Sequence, residues 1–290
     1  MSKHESLKLT RRETLAALGA FALTARFGAA QAPAPAHNIA LQLYTMRDPA
    51  KKDLPGTLKR CREMGWEYVQ WSGMPDLKAE EIRAALDAAG LKAMSAHIGI
   101  EAFETDFAAQ VAFWKTVGNK DVAPGGMMGD CRDSLDAWKK GAARLNAVGE
   151  KLRAEGMRLS YHNHDQEFQK FEGDDRTKMD ILYGETDPKN LCAEIDTAWV
   201  QVAGVNPAEY VRKMKGRCPV IHVKDIAEKK RLRGVQFCAV GKGTMKWDEI
   251  FAATREAGVE WYVYEQDNTT GDIFEDAAAT FAFMKEKLLA

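Results

Sequence analysis

Past roughly its first thirty positions the chain has no apolar run approaching the about 18 residues that a bilayer span requires, so no stable membrane span is expected once a leader is removed. It has no surplus of charge of either sign: 41 Lys and Arg stand against 42 Asp and Glu, a net of -1. Without a basic stripe interleaved with exposed aromatics, that balance excludes a nucleic-acid footprint and leaves a small molecule as the expected partner. There is no Cys-x-x-Cys pair. The five cysteines, Cys61, Cys131, Cys192, Cys218 and Cys238, are odd in number and scattered, which indicates neither a zinc knuckle nor a disulfide framework and reads most of them as small buried apolar residues. No Gly-x-Gly-x-x-Gly follows the first strand-like stretch, Gly241-Lys-Gly243 lacks the rest of a Walker pattern, and no internal repeat of about 20 to 50 residues is visible. What the chain does have is apolar material, 46% of 290 residues, enough for a sizeable core in one large domain.

The amino-terminal segment reads differently from the rest. Thr10-Arg11-Arg12-Glu13 leads into the weakly apolar Leu15 to Ala25, then Ala30-Gln31-Ala32 and the proline-rich Pro33-Ala-Pro-Ala36. Charged region, apolar region and small-residue cleavage site are the order of a secretory signal. The paired arginines resemble a twin-arginine signal, which addresses a folded bacterial protein to the periplasm. Residues 1–32 are therefore expected to be a leader cleaved after Ala32, and 33–290 the mature domain.

After the leader, two kinds of segment alternate. β-Favouring stretches are expected at 38–44, 67–71, 92–97, 120–123, 157–161, 191–196, 219–223 and 260–265. Helical spacing of apolar residues is expected at 54–64, 79–89, 103–117, 134–155, 177–183, 207–214, 247–257 and 273–289. Eight strands each followed by a helix, within about 250 residues, is the count and size of a (β/α)8 TIM barrel.

Barrel enzymes build their sites at the carboxyl ends of several strands, and those ends are rich in chemistry here. They offer Gln42 and Tyr44, Gln70, His97, His162 and His164, Asp196, His222 and Lys224, and Glu265. In Tyr161-His-Asn-His164, residues two apart would share one strand face, pointing both imidazoles the same way and Asn163 elsewhere. Imidazoles and carboxylates from different strands suit a divalent metal such as Mn2+, Zn2+, Co2+ or Mg2+. The alternative is that the histidines satisfy hydrogen bonds at a sheet edge. Tyr44, Trp71 and Trp199 suit the apolar faces of a sugar or a helix-packed core equally well, and Gly241-Lys-Gly243 suits a tight turn or an anion-binding loop.

The sequence resembles the xylose isomerase-like TIM barrels, the sugar phosphate isomerase/epimerase superfamily, over essentially all of the mature chain. The resemblance rests on Tyr161-His-Asn-His164 with Glu167-Phe168, Glu194-Ile-Asp-Thr-Ala-Trp-Val200, Ile221-His-Val-Lys-Asp225, Val240-Gly-Lys-Gly243 and Tyr264-Glu-Gln-Asp267. It implies one divalent metal ion held by Asp196, His222 and Glu265. A fourth ligand, a glutamate on the fifth strand in the family, is replaced here by His162, with His164 as the alternative. That departure matters, because isomerases and epimerases of the family use two glutamates as the acid/base pair on either face of an enediolate. A metal-bound histidine cannot supply that base. Glu265 then remains as base, Glu167 could provide a second carboxylate, and His97 or Lys224 could stabilise charge or protonate a departing oxygen. Gln42, Tyr44, Gln70, His164 and Trp199 are expected to contact a carbohydrate.

The resemblance implies sugar isomerisation or epimerisation through an enediolate. Dehydration or hydration of a keto-sugar, or cleavage of a 3-keto-glycoside, is the second reading, and a non-catalytic periplasmic sugar-binding protein the third. Assembly as a homo-oligomer stays open.

Overall fold

The computed structural model describes residues 38–227 and 234–289; the leader expected over residues 1–32 lies outside them. Among the described residues, eight parallel strands close into one barrel: β1 (Asn38–Gln42), β2 (Tyr68–Trp71), β3 (Lys92–His97), β4 (Asp121–Ala123), β5 (Arg158–His162), β6 (Cys192–Asp196), β7 (Val220–Val223) and β8 (Trp261–Tyr264). Neighbours in sequence are neighbours in the sheet, and β8 closes on β1 with Asn38 opposite Trp261 and Leu41 opposite Tyr264. The helices that follow the strands are α1 (Leu54–Glu63), α2 (Ala79–Ala89), α3 (Phe107–Val117), α4 (Leu135–Ala154), α5 (Lys178–Gly184), α6 (Pro207–Lys213), α7 (Trp247–Ala257) and α8 (Ile273–Leu288). This is the expected (β/α)8 barrel.

Local chemistry explains where the elements depart from expectation. β1 stops at Gln42, whose side-chain oxygen accepts the Tyr44 N–H at 3.3 Å and starts a 3-10 turn over Leu43–Met46, so Tyr44 is not a strand residue. The stretch 103–117, expected as one helix, is two: Glu101–Thr105, then α3. Asp106 between them is extended (φ -147°), and its carboxylate accepts the Ala109 N–H at 3.1 Å. A short acidic side chain capping a new helix competes successfully with the continuous one. Beyond β7 a two-residue antiparallel ribbon, Asp225–Ile226 with Phe237–Cys238, adds a feature the sequence pattern did not suggest.

The strand pleat sorts the core into two parts. Outward residues such as Leu41, Val69, Leu159, Tyr161, Ile195 and Tyr262 are buried against the helices, each worth about 1.5–3 kcal/mol of apolar transfer. Close approach of α4 to the entry of β6 requires Gly149, where a Cβ would stand 1.9 Å from the Asn190 carbonyl oxygen. Inside the barrel, Ala40, Met94, Val220 and Val263 form an apolar plug. Above the plug the interior turns polar. β3 bulges so that Val69 pairs with Ala93 but Gln70 with Ser95, which brings Ser95 level with Gln70 and, two residues on, carries His97 to the upper end of the barrel.

Candidate metal centre

At the carboxyl ends of β5 to β8, His162, Asp196, His222 and Glu265 bring ligand-type atoms within 4.8 Å of one another, all four side chains buried. Each is set by its local backbone. Asp196 ends β6 and caps the helical turn Thr197–Val202: its Oδ1 accepts the N–H groups of Ala198 and Trp199 at 3.0 and 3.1 Å. The cap locks the carboxylate and leaves Oδ2 facing the cluster. Asn163 braces the same residue from β5, its Oδ1 accepting the Asp196 N–H at 3.0 Å. Its side chain does point away from the histidines flanking it.

His162 and His164 both line one cavity, although the strand does not reach His164. β5 ends at His162, so the pleat no longer governs His164, and the two rings lie nearly perpendicular at 86° with centroids 5.0 Å apart. His162 is the member that joins the cluster. His164 lies against Trp199, ring centroids 5.5 Å apart, at the cavity wall.

The cluster's electrostatics are those of a cation site. Burial, then the neighbouring His222, pushes His162 down to about 3 and holds it neutral. Burial would raise the carboxyls of Asp196 and Glu265, but Lys224 together with His162 and His222 outweighs it, holding Asp196 at about 2 and Glu265 well below the carboxylate range. Burial also opposes charge on His222, yet Glu194 and Glu265 lift it to about 10. The Lys224 ammonium, itself raised against burial by Asp196 and Glu265, sits 3.0 Å from Asp196 Oδ2 and 2.9 Å from Glu265 Oε2.

Whether these residues fit a metal is tested by their unmet polar atoms. Both ring nitrogens of His162 are buried without a hydrogen-bond partner, and Oδ2 of Asp196, also without one, has only its ion pair with Lys224. His162 Nε2 stands 3.5 Å from Asp196 Oδ2 and 3.8 Å from Glu265 Oε2. Orphaned buried groups cost about 1–3 kcal/mol each, and a cation among these atoms would relieve that cost. Nitrogen and carboxylate donors without sulfur suit Mn2+, Zn2+, Co2+ or Mg2+. The set fits one divalent ion.

A cavity of about 450 Å3 opens onto the cluster, lined by Tyr44, Ser72, His97, His162, His164, Glu265 and Asp267 among others. Tyr44 is 37% exposed, with the Arg47 guanidinium 4.2 Å above its ring. Asp267, not singled out from sequence, receives Lys224 at 3.1 Å on both oxygens. A larger hollow of about 590 Å3 opens at the opposite mouth beside Tyr68, Asp121, Arg158 and Trp261. Its Arg158 is already paired with Asp121 and Glu260, so no comparable donor set gathers there.

Several expected contact residues lie elsewhere. Gln42 and Gln70 are fully buried beneath the cavity, bonded to each other at 2.6 Å, and are placed to support the floor. Trp199 stands behind His164, and Trp71 is a buried core residue. Glu167 is turned behind the barrel wall, where it accepts the hydroxyl of outward-facing Tyr161 at 3.1 Å and the His164 N–H at 2.9 Å. The Gly241-Lys-Gly243 loop binds an anion of its own chain. Asp225 accepts the N–H groups of Gly241 and Gly243 at 2.9 and 3.2 Å, that of Met245 at 3.1 Å and the Trp247 indole at 2.8 Å.

In the sequence Glu194 stands out only as part of a motif. It lies two residues before Asp196 on the same strand, so the pleat turns it inward one step deeper. A carboxylate in the apolar run Cys192-Ala-Glu-Ile-Asp196 was the available signal.

Comparisons with known proteins bear on the fold and the family. An inosose dehydratase of Lacticaseibacillus casei is 27% identical over 159 residues, 49% of this chain and 52% of that protein. One of Clostridium perfringens is 28% identical over 169 residues, 52% and 55% respectively. The chain thus spans about half the length of the curated relatives it matches. Among solved structures, a sugar phosphate isomerase/epimerase from Parabacteroides distasonis superposes with a TM-score of 0.73 at 21% identity, over 86% of this chain and 97% of that one. An L-ribulose 3-epimerase does so with a TM-score of 0.66 at 18% identity, over 87% and 95%. At such identities the likeness is one of fold. The family described as xylose isomerase-like TIM barrel matches residues 58–287, from within α1 to within α8, and the chain belongs to that family.

Proposed function

We propose that this protein is a divalent-metal-dependent enzyme that removes a proton from the carbon beside a carbohydrate carbonyl and expels an oxygen from the next carbon, as water or as an aglycone. Sugar isomerisation or epimerisation is the second reading. The observation that carries this order is the imbalance of bases. A symmetrical exchange across an enediolate is served by two carboxylates on opposite faces. Here the cavity's carboxylates, Glu265 and Asp267, both come from the end of the eighth strand, and Asp267 is held by Lys224 on both oxygens. The fifth strand supplies His162, and Glu167 is engaged behind the wall. The inosose dehydratases among the relatives are eliminating enzymes by name, which supports the same order.

His162, Asp196, His222 and Glu265 would hold the ion. When bound, the ion supplies Lewis acidity that polarises the substrate carbonyl. Glu265 takes the carbon-bound proton, and the electron pair of that C–H bond becomes the new C=C bond. His97, which lines the same cavity and is backed by Glu194 at 2.5 Å, gives a proton to the departing oxygen as the C–O bond breaks. Lys224, held in place by Asp267, supplies a positive charge beside the developing oxyanion. The exposed Tyr44 ring offers an apolar face to a sugar at the cavity mouth. A volume of about 450 Å3 lies in the lower part of the range for small-molecule sites, roughly 300–1,000 Å3.

The test is a metal-assayed sample incubated in D2O with a keto-inositol and with 3-keto-glycosides, followed by NMR. Loss of water or aglycone is the expected result. An inverted or isomerised ketose carrying deuterium, with nothing eliminated, would establish the second reading; sugar binding without turnover would leave a binding protein. The leader reading places this activity in the periplasm by the twin-arginine route. Amino-terminal sequencing of exported material is expected to begin at Pro33, and retention of Met1 would overturn it.

A further inference from the structure

Beneath the cavity floor one carboxylate oxygen serves two imidazoles. Glu194 Oε1 lies 2.5 Å from His97 Nε2 and 2.9 Å from His222 Nε2. The two rings are stacked in parallel, 4° between planes and 5.4 Å between centroids. Gln70 closes the arrangement. Its Nε2 donates to both Glu194 oxygens at 3.1 Å, so its Oε1 is the atom left to face His222 Nε2, at 2.9 Å. That same Oε1 accepts from Gln42 at 2.6 Å, which fixes the amide orientation a second time. His222 Nε2 thus meets two acceptors and must carry the hydrogen. Its Nδ1 is turned the other way, 2.8 Å from Glu265 Oε2 and into the ligand set. In His97, with Nε2 held by Glu194, Nδ1 faces Gly125 on the cavity wall, where a Cβ would come within 3.7 Å of it.

We infer that Glu194 is a positioning residue: it holds both imidazoles by Nε2, presenting Nδ1 of His222 to the metal and Nδ1 of His97 to the substrate cavity. The inference rests on reading the four-residue cluster as a metal centre. A hydrogen-bonded carboxylate behind a ligating histidine fixes its tautomer and ring orientation. Here one such carboxylate sets a ligand and a proton-transfer group together. His97, Glu194 and His222 also bring ligand-type atoms within 4.8 Å of one another. Their 2.5 and 2.9 Å separations are direct contacts, a hydrogen bond to His97 and an ion pair with His222, so Glu194 acts as acceptor there and not as ligand to a second ion.

The experiment uses zinc-loaded full-length protein with 15N-labelled histidine, read by long-range proton–nitrogen correlation. Both His97 and His222 are expected to carry a hydrogen on Nε2, whether or not Nδ1 of His97 also holds the proton it gives to a leaving oxygen; a bare Nε2 on either ring overturns the inference. Glu194→Gln is expected to mix the tautomers and to weaken Co2+ binding by about 10–100-fold in calorimetry, with unchanged circular dichroism. An affinity within twofold of the parent, in folded protein, overturns the inference, as does a stoichiometry falling from two ions to one. Should Glu194→Gln fail to fold, the tautomers of the unsubstituted protein decide. If the unsubstituted protein takes up no divalent ion, the metal-centre reading fails instead, and the His97 tautomer still tests Glu194 separately.

Discussion

Lys224 places its ammonium 2.9 Å from Glu265 Oε2, inside the set of atoms assigned to the metal. A fixed cation therefore shares the carboxylates with a divalent one. Lys224→Met should lower the stability of the metal-depleted protein by about 3–5 kcal/mol, because it strands buried carboxylates without their partner. The same substitution should tighten Mn2+ binding by roughly 10-fold or more, since a repelling charge is gone. Thermal melts and calorimetry read the two effects separately, and an unchanged affinity would mean that Lys224 leaves the ligand set when the ion enters.

Asp196→Ala and His222→Ala should each remove most of the bound divalent ion while leaving the barrel folded, because ligands at strand ends contribute little to the packed interior. Elemental analysis and circular dichroism check this. Chelation of the unsubstituted protein should lower Tm by about 5–10 °C if the ion is held at roughly 100 times its Kd, equivalent to about 2.7 kcal/mol. Full metal content in both variants would remove the site.

Glu265→Gln keeps an oxygen toward the ion but loses the basic carboxylate, so turnover should fall by about 10²–10⁴ even with metal restored in excess. His162→Glu should still bind metal, and a gain of epimerase activity would show that this position divides the reaction types. Near-normal turnover in Glu265→Gln, with all turnover lost but metal kept in His162→Ala, would reverse the assignment and make the histidine the base.

Asp225 gathers backbone N–H donors from Ile226, Gly241, Gly243 and Met245 together with the Trp247 indole. Asp225→Ala should cost about 3–5 kcal/mol, because several donors lose their acceptor at once; at this chain length that is a Tm drop of roughly 10 °C. Gly243→Ala should also destabilise, since its Cβ would lie 2.2 Å from Asp225 Oδ1. A melt unchanged in both variants would show that the loop can rebuild without its anchor.

The barrel was legible because its signals are local and repeat: apolar alternation, helical spacing, and glycines such as Gly90 and Gly258 that end α2 and α7 in the left-handed conformation. The ligand cluster was legible because strand ends announce inward positions, which found His162, Asp196 and His222, and Glu265 just past β8. The sequence pattern did not reveal the second layer. Gln42 and Gln70 have the residue types of sugar contacts, but they face other barrel strands and not the cavity, and only the closed sheet brings Gln70 to Glu194 and His222. Glu167 failed for a similar reason. Its proximity in sequence to His162 says nothing about which side of the wall the 3-10 turn Gln166–Phe168 will place it. The break at Asp106 was hidden because an aspartate inside an apolar helical pattern is scored by its neighbours before its own capping preference.

The pairing of β1 with β8 carries a consequence for biogenesis. The first described strand and the last are adjacent, so a nascent chain cannot complete the sheet until Tyr264 has emerged from the ribosome. Three of the four proposed ligands, Asp196, His222 and Glu265, also arrive late in synthesis. Closure of the sheet and completion of the cation site are therefore nearly simultaneous events. On the proposed metal-centre reading, the compartment in which the finished chain first folds would then choose the ion from its own metal pool.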